Sequence, residues 1–576
     1  MADYITPQLT VGKLPTGAEY SASVGLSWNG SKIAEIMPFV RHKIRRRTNG
    51  EVEDYFLLDI IHNGEVVASA EVKASSKNID TINLFDIYNG CGINPDSTKA
   101  RAYLVAIIKH QLSDSTLETI ECQGVKETGL AKLNIDGQGF YGFNYGDGVM
   151  LPTNISEDLA ARVTAAKSEY ILKSDTAKYS EFEAVVGMIT AISLNKIVGF
   201  SVFAFTISAL LKSLFRECGI IPKFLLNVCG LKDSLKTAYT SALSPIVNRN
   251  DGKSKLIVQF TSSSYTTDNL TNDYKDFPLI LDNVYFSESS DITRSIKKKF
   301  EEAAQIIGDD IGKGRSGKIY NPAASIITTS ENDGIGNPST VARYLTIPVG
   351  DALRNPLAQS VLHEFQNDKF LIIPTYYRYL LQWILDNAER IKASIKDLLT
   401  DFREAGSSID VSTKLRERYF ILLTAYMIFL SYCDAKGFAN IDGIMPLNEF
   451  SDMLLCLCRR HNRTIVEKES AERPADADYV KLIRHWLESK QFNMAKDEHD
   501  AKLKSREALV YNGCLCLRTE ALMRKINKTF PNAKLKDVVA QLVAKNVLKS
   551  DADKNTGKIK GIRFLKIPLK KLKKVS

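Results

Sequence analysis

No stretch of this sequence is apolar for long enough to cross a bilayer comfortably. The two nearest candidates, IVGFSVFAFTISALL (197–211) and YFILLTAYMIFLSY (419–432), are short and bordered by polar or charged residues. Both are expected to be buried helices of a large core, and no membrane partner is expected. The opening MADYITPQLTVG lacks the basic stretch and apolar core of a secretory signal. The nine cysteines are scattered, and Cys456/Cys458 and Cys514/Cys516 have C-x-C rather than the C-x-x-C spacing of zinc knuckles. The expectation is a cytoplasmic protein with reduced thiols, most of them packed as small apolar residues. None of the seven histidines has a catalytic partner in sequence, and neither G-x-S-x-G nor H-E-x-x-H occurs. Nucleophile-elbow hydrolase and zinc protease chemistry therefore have no support. No internal repeat is present.

What is there fits a large multidomain globular protein. The chain has 576 residues, 44% hydrophobic and 25% charged, with a mild basic excess of +9. The placement of charge says more than its sum: from Lys554 to Ser576 there are basic residues and no acids.

Residues 1–155 read as a β-rich N-terminal domain. EDYFLLDIIHNGEVVASAEVKAS alternates apolar and polar residues around Asn63-Gly64, a hairpin signal. IDGQGFYGFNYGDGVM reads as a second hairpin or loop, and STKARAYLVAIIKHQL between them has helical spacing. Residues 156–220 read as helical throughout. Across 221–350 short apolar runs (KFLLNVCG, KLIVQF, FPLILDNVY, NPAASIITTSE) alternate with helical segments such as ITRSIKKKFEEAAQII, which implies an α/β sheet of buried parallel strands. Residues 351–470 return to helix. ESAERPADAD (469–478) reads as a linker. Residues 479–576 form a candidate winged helix with a basic tail, KLKDVVAQLVAKNVL being its recognition-type helix and IKGIRFLKI a wing strand. The expected fold class is thus multidomain α/β, with a P-loop ATPase core over 221–350.

The chemistry centres on VCGLKDSLKTAY (228–239). A phosphate cradle needs a strand, a turn with free amides and a helix N-terminus facing the phosphates. FLLNVCG supplies the strand. Gly230, Ser234 and Leu235 line the turn, and Lys236 and Thr237 open the helix. The lysine is placed for the β- and γ-phosphates of ATP and the threonine hydroxyl for Mg2+. Leu235 stands where G-x-x-x-x-G-K-[ST] has its second glycine, which weakens the match. Order along the chain strengthens it. PLILDNVY ends a strand at Asp282, suited to hold Mg2+ directly or through water. ASIITTSEN then places Thr328, Thr329 or Ser330 near the γ-phosphate, and Arg343 follows in STVARYLTIPV. GKGRSGKI resembles a phosphate loop but follows a helix and ends in isoleucine, so it is rejected as the nucleotide loop.

GLKDSLKT, LILDNVY and GDDIGKGRSGKIYNPAASIITTSENDGIGNPSTVARYLTIPV together resemble the helicase-like AAA+ ATPases of phages, plasmids and integrative elements, relatives of minichromosome-maintenance helicases. The resemblance is clear over about 221–350. It implies ATP and Mg2+ as cofactors, DNA as partner and a homo-oligomer, a ring such as a hexamer. It tolerates a residue other than glycine before the loop lysine. It also implies two acids at the end of the second metal strand, where this chain has Asp282-Asn283. Asn283 can orient a water but cannot take its proton, so hydrolysis is expected to be slow or to draw on another acid such as Glu331. Lys313, Arg315 and Lys318 form either a solvated basic turn or a functional loop, with Arg315 an arginine finger toward an adjacent subunit or the loop a DNA contact. Arg343 is the other finger or sensor candidate. The leading expectation is an ATP-dependent DNA helicase or DNA-remodelling ATPase. The alternative is a non-catalytic DNA-binding replication or partition factor that uses nucleotide as a switch.

Overall fold

The computed structural model describes residues 14–48, 51–90, 97–286, 290–315, 318–405, 409–472, 478–500, 503–530, 533–548, 556–559 and 562–574. The chain divides into two units, residues 1–336 with 342–459, and residues 337–341 with 460–576. The fold is multidomain α/β, and it contains a parallel sheet.

After a three-stranded sheet of Ala18–Ser21, Gly25–Trp28 and Ser31–Ala34, the first unit builds a five-stranded sheet in the order Val163–Ala165, Thr119–Val125, Ile36–Thr48, Glu51–His62, Glu65–Lys73. The hairpin expected at Asn63-Gly64 forms there, both residues taking positive φ (53° and 86°) as the tight turn requires. Helix Thr98–Leu112 covers the long strand with Leu104, Ile107 and Ile108. Its Gln111 meets that strand at an irregularity: the side chain accepts from Val40 N at 2.7 Å and donates to Pro38 O at 3.2 Å, supplying bonds the ladder lacks. A second hairpin, Gly129–Ile135 with Gln138–Asn144, turns at Asp136-Gly137.

The stretch 156–220 is not helical throughout. Val163–Ala165 joins Thr119–Val125 as a parallel strand and Tyr170–Ile171 pairs with Val247–Asn248; long helix begins only at Glu181. A strand partner distant in sequence overrides local helical spacing here. Helix Lys196–Leu210 is buried from Val198 to Leu210 without a break and packs against helix Thr413–Ala435, so both apolar runs are core helices. Among the described residues no helix is long and apolar enough to cross a membrane.

The central sheet holds β1 (Leu225–Cys229), β2 (Ile257–Gln259), β3 (Pro278–Val284), β4 (Ser325–Ser330) and β5 (Tyr344–Pro348). All five are parallel, in the order β2-β3-β4-β1-β5. The first four are the apolar runs of the sequence; β5 lies in YLTIPV. Helix Lys196–Leu210 packs on β1, β3 and β5, which explains why those strands are apolar on consecutive residues. Helices Pro356–Gln366, Ile372–Asp386, Ala388–Ala405 and Thr413–Ala435 follow the sheet. Helix Leu447–Glu472 carries on into the segment expected to be a linker; Glu, Lys and Ala sustain it up to the residues before Pro474. Residues 473–477 of that segment lie outside the described residues.

The second unit contains helices Tyr479–Glu488, Thr519–Thr529 and Leu535–Ala544. Its four-stranded antiparallel sheet is ordered Ala508–Tyr511, Cys514–Arg518, Ile562–Pro568, Thr556–Ile559. Ile483, Trp486, Leu515, Leu522, Ile526, Val538, Leu542, Leu565 and Ile567 make its core.

Candidate nucleotide site

The carboxyl ends of β1, β3 and β4 converge, the place where open parallel sheets bind ligands. After β1 the chain turns at Gly230, whose N–H donates to Ser330 O at the end of β4 (3.1 Å). A Cβ on Gly230 would stand 2.9 Å from Ser234 Oγ and 3.0 Å from Val349, so a side chain there would crowd the turn and displace the Ser234 hydroxyl. The turn runs to Leu235, and Lys236–Ala242 is a short helix. Both Asp233 (φ 59°) and Leu235 (φ 57°, ψ 23°) are left-handed. Leu235 therefore adopts the backbone that a second glycine would provide, with the steric cost of a Cβ.

Lys236 and Thr237 are the first two residues of that helix. Lys236 Nζ folds back to donate to Leu231 O at 2.8 Å. Thr237 Oγ1 donates to Asp282 Oδ1 at 2.5 Å, and Thr329 Oγ1, from β4, donates to the same oxygen at 2.5 Å. Gln259, the last residue of β2, reaches Asp282 Oδ2 at 3.4 Å. Asn283 takes φ 72° at a register shift of the β3–β4 ladder, and its N–H donates to Thr329 Oγ1 at 3.0 Å. The irregularity turns Asp282 toward the loop and leaves Asn283 exposed. Thr329 therefore fixes Asp282 in place, while Thr328 bonds Asn227 inside the sheet at 3.0 Å and Ser330 Oγ donates to Asn332 O. Glu331 is exposed.

The residues fit a magnesium-bound polyphosphate on two grounds. The Ser234 hydroxyl is buried inside the turn without a hydrogen-bond partner. The Thr237 and Asp282 oxygens are hard donors of the kind magnesium takes, side by side under the loop.

The structure thus brings Gly230, Ser234, Leu235, Lys236, Thr237, Asp282, Asn283 and Thr329 together. It does not bring Arg343 to them. Arg343 precedes β5, where Tyr344 is level with Leu225 at the other end of β1. There its guanidinium makes a two-pronged pair with Asp309, 3.0 Å on each prong. Arg418, fully buried, donates to the carbonyls of Tyr344 (2.6 Å) and Ala342 on either side of it. Burial pushes the Arg418 guanidinium down to about 10. Lys313–Arg315 and Lys318–Tyr320 form an antiparallel hairpin, not a loop leading into a helix. The side chains of Lys313, Arg315 and Lys318 lie outside the described residues. Sequence reasoning missed Gln259 and Arg354. Gln259 is placed only by strand pairing, and Arg354, which donates to Lys232 O at 3.2 Å, belongs to no loop motif.

The fold has a solved counterpart. It is similar to that of SCCmec type IV Cch, described as an active helicase, with a TM-score of 0.56 over 97% of this chain and 99% of that one, at 14% identity. No protein-family model matches the chain, and no curated protein sequence matches it.

Proposed function

We propose that the chain is an ATP-dependent DNA helicase or DNA-remodelling ATPase of a mobile element. The observation that carries this reading is the meeting of Thr237, Asp282 and Thr329 behind the loop that ends in Lys236. On this reading residues 221–350 are an AAA+ ATPase core. Lys236 leaves the Leu231 carbonyl for the β- and γ-phosphates, a stronger acceptor for an ammonium. Thr237 and Asp282 hold Mg2+, which supplies charge neutralisation on the phosphates when bound. Thr329 keeps Asp282 aimed. Asn283 orients a water without taking its proton. Arg343, at the far end of β1, serves a neighbouring subunit rather than its own site, which asks for a ring-like homo-oligomer. The helices and terminal hairpin of 479–576 act as a winged helix on DNA. The likeness to a protein described as an active helicase supports the reading through the fold alone.

A second reading is favoured by Asn283 and Leu235: a DNA-binding replication or partition factor in which nucleotide is a switch. The deciding experiment measures phosphate release and strand separation by the full chain with Mg-ATP, beside Lys236→Ala. Turnover that DNA stimulates and Lys236→Ala abolishes supports the enzyme. Nucleotide binding without turnover supports the switch. Equal ATP binding by parent and Lys236→Ala sinks the loop assignment.

A further inference from the structure

Beyond β5 the chain returns to the mouth of the same loop. Pro348 is level with Cys229, and Val349 N donates to Cys229 O at 2.8 Å, so residues 349–354 leave the sheet beside Gly230. They form a short 3-10 turn, Ala352–Arg354, seated on the buried Leu353. Both sides of Arg354 are fixed. Its N–H donates to Asp351 O at 2.9 Å, and its carbonyl accepts from Gln359 Nε2 at 3.1 Å. The following helix, Pro356–Gln366, packs on helix Lys236–Ala242. The guanidinium of Arg354 donates to Lys232 O at 3.2 Å with one nitrogen and meets Asp351 at 3.3 Å with another.

Two cations from different elements therefore end on consecutive carbonyls of one loop, Lys236 on Leu231 and Arg354 on Lys232. Peptide carbonyls are weak acceptors for full positive charges, and phosphate oxygens are strong ones that suit the planar arginine fork. The buried, partnerless Ser234 hydroxyl lies in the same turn.

We propose that Arg354 is a second cation of the phosphate site, acting in cis with Lys236 on a nucleoside triphosphate. This rests on the nucleotide reading above. On binding, the phosphate oxygens replace the carbonyls of Leu231 and Lys232 as acceptors, and Asp351 holds the guanidinium from behind. The recognition is for phosphate count rather than base, since Arg354 joins the site from the loop side.

The test titrates the full-length parent, Arg354→Gln, Arg354→Lys and Lys236→Ala with fluorescent ATP and AMP analogues in the presence of Mg2+, with a thermal melt of each variant. Arg354 is 44% exposed, so its variants are expected to melt with the parent. Arg354→Gln is expected to weaken ATP by roughly 5- to 20-fold, the range for a charge-assisted phosphate bond discounted for exposure, and AMP by less than about 2-fold. Arg354→Lys is expected to recover part of the loss. If Arg354→Gln binds ATP like the parent while Lys236→Ala does not, the assignment of Arg354 falls and the nucleotide reading stands. If the parent binds no ATP, both fall. An equal loss for ATP and AMP overturns the phosphate role and points to a loop that has merely changed its shape.

Discussion

Leu235 concentrates the tension in this loop. Its left-handed backbone suits glycine, and a Cβ there costs about 1 kcal/mol. Leu235→Gly relieves that strain but gives up about 1 kcal/mol of packing from a half-buried leucine, so the unfolding free energy in urea is expected to stay within roughly 0.5 kcal/mol of the parent. A lower midpoint in the glycine variant would show that leucine packing outweighs the strain. Asp282 makes the complementary case, accepting two hydroxyl donors on one oxygen. Asp282→Asn removes the charge that a magnesium ion needs while keeping the size. It is expected to abolish magnesium-dependent phosphate release and to leave part of the nucleotide binding; unchanged turnover across a magnesium titration would assign Asp282 a structural role. At this scale the sequence was most informative where a residue ends an apolar strand. It was silent on Gln259 and Arg354, because nothing in their neighbours marks them and only strand order and the return of β5 bring them to the loop.

At the scale of elements, the strands of the central sheet were legible because burial on both faces makes them continuous apolar runs. The hairpins at Asn63-Gly64 and Asp136-Gly137 were legible because left-handed turns select Asn, Asp and Gly. The same signal at Asn512-Gly513 marks the hairpin Ala508–Tyr511 with Cys514–Arg518, which the reading of 479–576 as a candidate winged helix passed over. The short strands at 163–171 carry no such mark. Helix Lys212–Glu217 contributes a titration of its own. Lys212, 3% exposed, donates to Pro322 O and Ala324 O just ahead of β4, and desolvation pushes its amine from 10.5 down to about 8, against the opposing pull of Asp310 and Asp276. Between those values the folded chain holds fewer protons than the unfolded one, so this group makes stability rise as pH climbs from about 8 to 10.5. Lys212→Met is expected to lack that component, giving a shallower rise of the urea midpoint over the same window. Parallel pH profiles for parent and variant would show that the amine is not the titrating group.

At the scale of the whole molecule, the charge distribution bears on the proposed DNA binding. The terminal run is not a loose tail: Ile562–Pro568 is a strand with Ile567 buried against the core, and Leu569–Lys574 is a helix. Deleting residues from 567 would damage the sheet, so the test of DNA binding by this run is neutralisation of Lys570, Lys571, Lys573 and Lys574 to Gln. For every lysine that pairs with a phosphate, its removal is expected to reduce the salt dependence of duplex binding by roughly 0.9 in slope, without changing sequence preference. An affinity and slope equal to the parent across a salt series would mean these lysines do not touch DNA.

The sequence by itself determined the apolar strands, the tight turns, the buried helices and the order of loop lysine, strand-end aspartate and strand-end threonine. These are local matters: burial writes itself as hydrophobic runs, and left-handed backbone selects a few residue types. The tertiary structure alone decided that Thr329 serves Asp282, that Arg343 sits at the far end of β1 from Lys236, that Arg418 grips the carbonyls around Arg343, and that Arg354 returns to the loop before Lys236. Those facts depend on which strands lie side by side, and in a parallel sheet neighbours are far apart in sequence, so no local pattern records them.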